Sequence, residues 1–193
     1  MATGYRRVTP LSTIERVWRD FDLVPDVPPA GDRERAAVLI PLFDDNAGST
    51  RLVLIKRPDT MPTHAGHIAF PGGRPALGDD GPSGTALREA QEEVGIIPDQ
   101  VEIIGYLPPI DTIAYRLLVV PVVGWLSQPP VLFPSPREVV RIHQPALDEL
   151  ADDSRWRMED WNGHKVWFYE LGDDVLWGAT ALMTRRLLGL GEY

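Results

Sequence analysis

The stretch Arg88-Glu89-Ala90-Gln91-Glu92-Glu93-Val94-Gly95-Ile96 constrains this chain more than any other. Its carboxylates, Glu89, Glu92 and Glu93, recur at spacings of three and four residues, which on a helix share one face. Like charges so placed repel by roughly 0.2–0.5 kcal/mol per pair. A cluster that accepts that cost is suited to a cation, and carboxylate oxygens favour hard divalent ions such as Mg²⁺ or Mn²⁺. A glycine turn, Phe70-Pro71-Gly72-Gly73, lies just upstream. Together the two features point to a metal-dependent enzyme acting on phosphates.

The local pattern supports a helix with clear ends. Gly81, Pro82 and Ser83 supply a start, and Gly95 supplies a stop. Leu87, Ala90 and Val94 form an apolar stripe, expected roughly opposite the glutamates at about 100° per residue. One side can then bury while the other presents acids to a cleft. Arg88 lies between the faces, within reach of Glu92 four residues on, or of Asp79 or Asp80 in the preceding loop.

Composition narrows the class. A chain of 193 residues fits one domain with a sizeable core. With no cysteine, disulfides, thiolate metal sites and a cysteine nucleophile are excluded. No apolar run reaches the ~18 residues that span a bilayer, and no signal-peptide core opens the chain. The expectation is a cytoplasmic protein with no membrane partner. The net charge of −9 argues against a nucleic-acid partner, which usually needs a basic face. A small polyanionic substrate remains compatible, given divalent cations and a few placed Arg or Lys residues.

Along the chain, residues 1–34 read as an N-terminal extension. There Ser12-Thr13-Ile14-Glu15 matches a capping box ahead of a short amphipathic helix carrying Ile14, Val17, Trp18 and Phe21. Residues 35–193 read as the main domain. Ala36 to Phe43 is a buried strand, and Arg51 to Lys56 is its return. Val101 to Leu107 and Leu117 to Leu126 are further strands, with Pro121 suggesting an edge or a bulge. Glu138 to Ile142 reads as another strand, and Pro145 as the first turn of a helix to about Ala151. Arg155 to Trp161 and His164 to Leu171 flank Asn162-Gly163, a hairpin signal. Trp177, Ala181, Thr184, Leu187 and Leu188 suit a closing helix. Asp152-Asp153 and Asp173-Asp174 read as solvated turns, and the six tryptophans as core and packing residues rather than a base-stacking platform. Strands mixed with a few helices point to a layered α/β or α+β domain.

Gly73 through Ile96 resembles a Nudix box: Gly, five residues, Glu, seven residues, then Arg-Glu-aliphatic-x-Glu-Glu-x-Gly-aliphatic. The last part matches at every defined position, with Ala90 as a small aliphatic. The loop is one residue longer than the standard box, and aspartate, Asp79 or Asp80, stands where glutamate is usual. The resemblance implies an α/β/α sandwich with a mixed β-sheet between helices. It also implies hydrolysis of a nucleoside diphosphate linked to another moiety. It assigns metal binding to Glu89, Glu92, Glu93 and the Gly73 carbonyl, with Mg²⁺ or Mn²⁺ as cofactor. Catalytic roles fall to Arg88, Glu92, Glu93 and Glu138, the last because many members place another glutamate in a later loop. A homodimer is expected on the same ground.

The segment before the box resembles the signature of the coenzyme A diphosphatase branch. Val53-Leu54-Ile55-Lys56-Arg57, Gly66 and Phe70-Pro71-Gly72-Gly73 keep its spacing, and Leu176-Trp177-Gly178-Ala179-Thr180-Ala181 is similar to its ending. Pro58 replaces the signature's serine and Pro62 its second arginine. A guanidinium is suited to gripping phosphate, and proline cannot do so. Lys56, Arg57, His64, His67 and Arg74 remain as candidate anion contacts. His64 and His67 lack the further ligands that a zinc site requires.

Overall fold

The structure, a computed structural model, describes residues 22, 25–61, 63–112, 116–161 and 163–191. The helix expected over residues 14–21, Pro62 and Asn162 lie outside these residues. The framework is a six-stranded mixed sheet. It comprises β1 (Glu34–Asp44), β2 (Thr50–Leu52), β5 (Gly72–Gly73), β6 (Val101–Tyr106), β7 (Ile110–Thr112) and β8 (Leu117–Leu126). The order is β2-β1-β8-β6, with β5 on β1 and β7 on β8. β1 and β8 run parallel, from Glu34 opposite Leu117 to Phe43 opposite Leu126.

Both faces of this sheet are covered, so its strands are apolar at successive positions rather than alternately polar. On β1, Ala36, Ile40 and Leu42 face one core, while Ala37, Leu39 and Phe43 face the other. The second core is closed by α1 (Gly81–Val94) through Ala86, Ala90 and Val94. The first is closed by α3 (Gly178–Leu187) through Ala181, Met183 and Leu187. Two small sheets complete it. One is β10 (Trp156–Trp161), β11 (His164–Leu171) and β12 (Asp174–Trp177). The other is β4 (Ile68–Ala69), β3 (Leu54–Lys56) and β9 (Arg141–His143). The expected α/β/α sandwich is therefore present.

Several local expectations are corrected. Arg51 to Lys56 is broken at Val53, whose N–H bonds to the Pro41 carbonyl at 3.2 Å, so β2 joins the large sheet and β3 a small one. Pro121 is on a central strand, not an edge. Its carbonyl accepts from Leu107 N–H at 3.1 Å, where β6 has ended and β7 has not begun. A strand residue's N–H and C=O point to the same side. The missing proline donor therefore falls in that break and costs no ladder bond. Glu138 lies in a turn, and the strand begins only at Arg141. The helix after Pro145 is the single turn α2 (Leu147–Leu150).

Candidate active site

α1 ends where expected. Gly95 is left-handed (φ 76°), and its N–H bonds to the Gln91 carbonyl at 3.0 Å. The three glutamates, however, do not share one environment. Glu93 follows Ala86 by seven residues, which on a straight helix brings it back to within about 20° of that buried position. Its side chain is 1% exposed, Glu89 is 15% exposed and Glu92 is 57% exposed. The acidic face is thus not opposite the apolar stripe. Glu93 lies at its border, and only Glu92 is directed fully outward.

Glu93 accepts two hydrogen bonds, from Gly72 N–H at 2.9 Å and from Arg57 Nη1 at 3.2 Å. Burial is nevertheless the stronger influence and pushes its carboxyl up to about 8, with Glu89 and Glu138 adding like charge. Burial also raises Glu89, against the pull of Arg88. Gly73 lies against Glu89: a Cβ there would fall within 2.7 Å of all three carboxylate atoms. The loop backbone and two glutamates thus occupy one small region. Glu138 is brought towards them by its own loop, where Phe133 N–H bonds to the Val94 carbonyl at 2.9 Å and Ser135 N–H to the Glu93 carbonyl at 2.8 Å.

Arg88 holds this end of the helix to its loop. Its Nε and Nη2 bond to the two oxygens of Asp79 at 2.9 and 3.2 Å, and Nη2 also donates to the Arg74 carbonyl at 2.9 Å. Asp79, not Asp80, is therefore the partner in the longer loop. It also accepts from Ala76 N–H and Thr85 Oγ, and the Arg88 guanidinium holds it well below the usual carboxylate range. Arg88 further contacts Glu89 at 2.9 Å and Glu92 at 3.2 Å.

The donors suit a hard cation. Glu89, Glu93, Glu138 and the Gly73 carbonyl all present oxygen atoms, and the like charges of the acids repel one another. Among the described residues no group of three acidic or histidine side chains is already arranged to hold an ion. Glu92 is turned to Arg88. Joining Glu89 and Glu93 at a cation would require it to leave that contact.

The candidate substrate contacts divide. Arg57 stands at the acids, with its buried Nε unpartnered among the described residues. Lys56, one residue earlier, points to the other side of its strand and bonds to Asp174 at 2.6 Å. Arg74 pairs with Glu34. His64 and His67 adjoin each other, ring centroids 5.5 Å apart, and burial lowers the pKa of both. Asp174 is not a solvated turn residue: it is buried and shared by Lys56, Arg141 (2.9 Å) and His143 (3.0 Å). Nothing in a neighbouring Asp-Asp pair distinguishes the buried member. The signal was in the alternation of β12, where Asp174 and buried Leu176 share a face.

Comparison with known proteins gives concordant results. The family described as NUDIX domain matches residues 33–165. Nudix hydrolase 22, chloroplastic, of Arabidopsis thaliana is 38% identical over 163 residues, covering 79% of this chain and 54% of that protein. The chain thus spans about half the length of this plant relative. An uncharacterized Nudix hydrolase, NudL, of Enterobacter sp. (strain 638) is 39% identical over 160 residues, covering 81% and 82%. Among solved structures, a MutT/nudix family protein from Enterococcus faecalis aligns with a TM-score of 0.57 at 16% identity, covering 84% of this chain and 63% of that one. A Nudix hydrolase from M. smegmatis aligns with a TM-score of 0.52 at 22% identity, covering 62% and 74%.

Proposed function

The chain belongs to the Nudix hydrolase family, and from that premise we propose that it cleaves the diphosphate of coenzyme A or an acyl derivative. The products would be 4′-phosphopantetheine, or its acylated form, and adenosine 3′,5′-bisphosphate. One observation carries the reading: Arg57 over Glu93, with a buried Nε facing no protein acceptor among the described residues. A buried guanidinium N–H left unpaired costs free energy, and a phosphate oxygen would relieve it. The spacing from Lys56-Arg57 to Gly66 and Phe70-Pro71-Gly72-Gly73 supports the coenzyme A assignment.

Mg²⁺ or Mn²⁺, held by Glu89, Glu92, Glu93 and the Gly73 carbonyl, would neutralise diphosphate charge and acidify a water. Glu138 or a glutamate of the helix takes the proton of the attacking water. The water oxygen bonds to one phosphorus, and the bond from that phosphorus to the bridging oxygen breaks. The departing phosphate keeps the electron pair, and Arg57 offsets its charge. Arg88, held by Asp79, orients Glu89 from behind, and Glu92 would leave its contact with Arg88 to join that set.

A second reading within the same chemistry is favoured by the Lys56–Asp174 ion pair. With Lys56 engaged there and proline at position 62, little remains of the signature's basic set for a 3′-phosphate. ADP-ribose or a dinucleotide, which lack that group, then become the alternative substrates. Turnover with coenzyme A, ADP-ribose, NADH and diadenosine polyphosphates, read out by product mass, separates the two. The primary reading predicts fastest release of 4′-phosphopantetheine, and faster cleavage of ADP-ribose or a dinucleotide would sink it.

A further inference from the structure

We propose that the outward face of β10, β11 and β12 binds the nucleobase of the substrate, an inference that rests on the nucleotide reading above. Strand alternation sends Trp156, Tyr169 and Leu176 into the core. It leaves Trp161, Phe168 and Trp177 on the other face, with Arg157 opposite Phe168 and Phe168 opposite Trp177. Solvated sheet faces usually carry polar residues. This one carries three aromatic rings: Trp161 is 44% exposed and Trp177 half-buried, while Phe168 is buried.

The rings form a connected set. Trp161 lies 5.5 Å from Phe168 and 5.4 Å from Trp177, centroid to centroid. Trp177 meets His67 at 4.6 Å, and His67 meets His64. The Trp161 indole is oriented by its Nε1–H, which donates to Glu159 at 3.0 Å. The Arg157 guanidinium covers Phe168 at 5.1 Å.

The occupant follows from where the set ends. His67 accepts at its carbonyl from Arg57 N–H at 3.0 Å, and Arg57 reaches Glu93. The aromatic face is therefore continuous with the place assigned to the diphosphate. A base joined to that diphosphate through a ribose would extend along it. Flat heteroaromatic rings stack on indole and on neutral imidazole, and burial favours the neutral form of both histidines. An alkyl chain would gain nothing from the polar imidazole edges.

The test is calorimetric binding of adenosine 5′-diphosphate to the full chain without divalent metal, with Trp161→Ala and Trp161→Phe as variants. Trp161→Ala is expected to weaken binding by about tenfold or more, while Trp161→Phe stays within about threefold. Pyrophosphate, which has no base, should bind all three proteins alike. In turnover the alanine change should appear in KM rather than kcat. Unchanged affinity for adenosine 5′-diphosphate in Trp161→Ala would overturn the proposal. So would an equal loss for pyrophosphate, or a loss confined to 4′-phosphopantetheine. A changed sedimentation coefficient with unchanged nucleotide binding would assign the face to a second copy of the chain and overturn it too. Nucleotide binding needs no turnover. A protein that binds through Trp161 yet cleaves nothing in the panel therefore sinks the hydrolysis reading and leaves this one standing.

Discussion

Arg57 Nη1 lies 3.2 Å from Glu93 Oε1, and no other basic side chain among the described residues pairs with that carboxylate. The contact ties the end of β3 to the inner edge of α1, and the buried Nε has no hydrogen-bond partner among the described residues. Replacing Arg57 by Ala should lower kcat/KM by about 10- to 100-fold, the loss expected for a charge-assisted hydrogen bond of roughly 1.5–3 kcal/mol. Arg57→Lys should recover little of it, because an ammonium cannot bridge Glu93 and a phosphate as a planar fork can. Steady-state kinetics on the best substrate of the panel checks this, and full rescue by lysine would contradict it.

Glu93 combines a proposed cation-binding role with an unfavourable burial. Its folded pKa, about 8, exceeds its ordinary value of 4.5. For a raised pKa, the associated stability is present below the unfolded value and is lost as pH rises through the folded value. The metal-free protein should therefore lose stability between about pH 5 and pH 8. Glu93→Gln should flatten that slope and also reduce turnover by orders of magnitude. Thermal melts across that range in chelator read the first effect, and initial rates read the second. A slope that persists in the variant would show that another group titrates.

Much of this site was legible because it is local. The helix ends, the Glu-x-x-Glu-Glu spacing and the strand pattern of β1 and β8 depend on neighbours within a few residues. The three-dimensional environment of each acid does not. Three glutamates at helical spacing look equivalent until the sheet shows that position 93 borders Ala86 and Ala90, whereas position 92 does not. Lys56 and Arg57 look like one basic pair, yet a strand sends adjacent side chains to opposite sides. One meets Glu93 and the other Asp174. Pro121 was misplaced for the same reason: its cost depends on whether a partner strand lies beside its nitrogen, and that is set by where β6 stops.

The one-residue-longer loop offers a direct test of which aspartate replaces the usual glutamate. Asp79 receives two hydrogen bonds from Arg88, whereas Asp80 caps the helix without a side-chain hydrogen bond. Asp79→Ala should free Arg88, loosen its hold on Glu89, and reduce activity by about 10- to 100-fold, as losses of groups supporting metal ligands do. Asp80→Ala should leave kcat/KM within about twofold, since it touches none of these groups. Equal effects of the two changes would count against the assignment.

Asp174 provides a stability test away from the acids. Burial alone would raise its pKa, but the Lys56 hydrogen bond and the charges of Lys56, Arg141 and His143 bring it below 3.8. A depressed pKa contributes stability above the unfolded value and loses it as pH falls through the folded one. Asp174→Asn should remove that acid-limb loss below about pH 4 while lowering stability at neutral pH. Asp174→Ala should cost about 2–3 kcal/mol, less than a fully buried pair because Lys56 and Arg141 reach water. Urea titrations at pH 3 and pH 7 measure both effects, and an unchanged acid limb would refute the account.

The adjacent glycines should fail in different ways. A Cβ on Gly72 would fall 2.6 Å from Val38 Cα and closer still to the Ala37 carbonyl, both backbone atoms of a central strand that cannot yield. Gly72→Ala should therefore part β5 from β1, displace the N–H that holds Glu93, and lower Tm markedly. On Gly73 the three atoms nearest to the same Cβ all belong to the Glu89 carboxylate, the far end of a side chain rather than backbone. Gly73→Ala should keep most of the stability but turn Glu89 away from the loop carbonyl, so that activity falls further than Tm does. Thermal melts paired with the Mn²⁺ dependence of turnover distinguish the two variants. A Gly73→Ala protein with unaltered metal dependence would remove Glu89 and the Gly73 carbonyl from the proposed cation site.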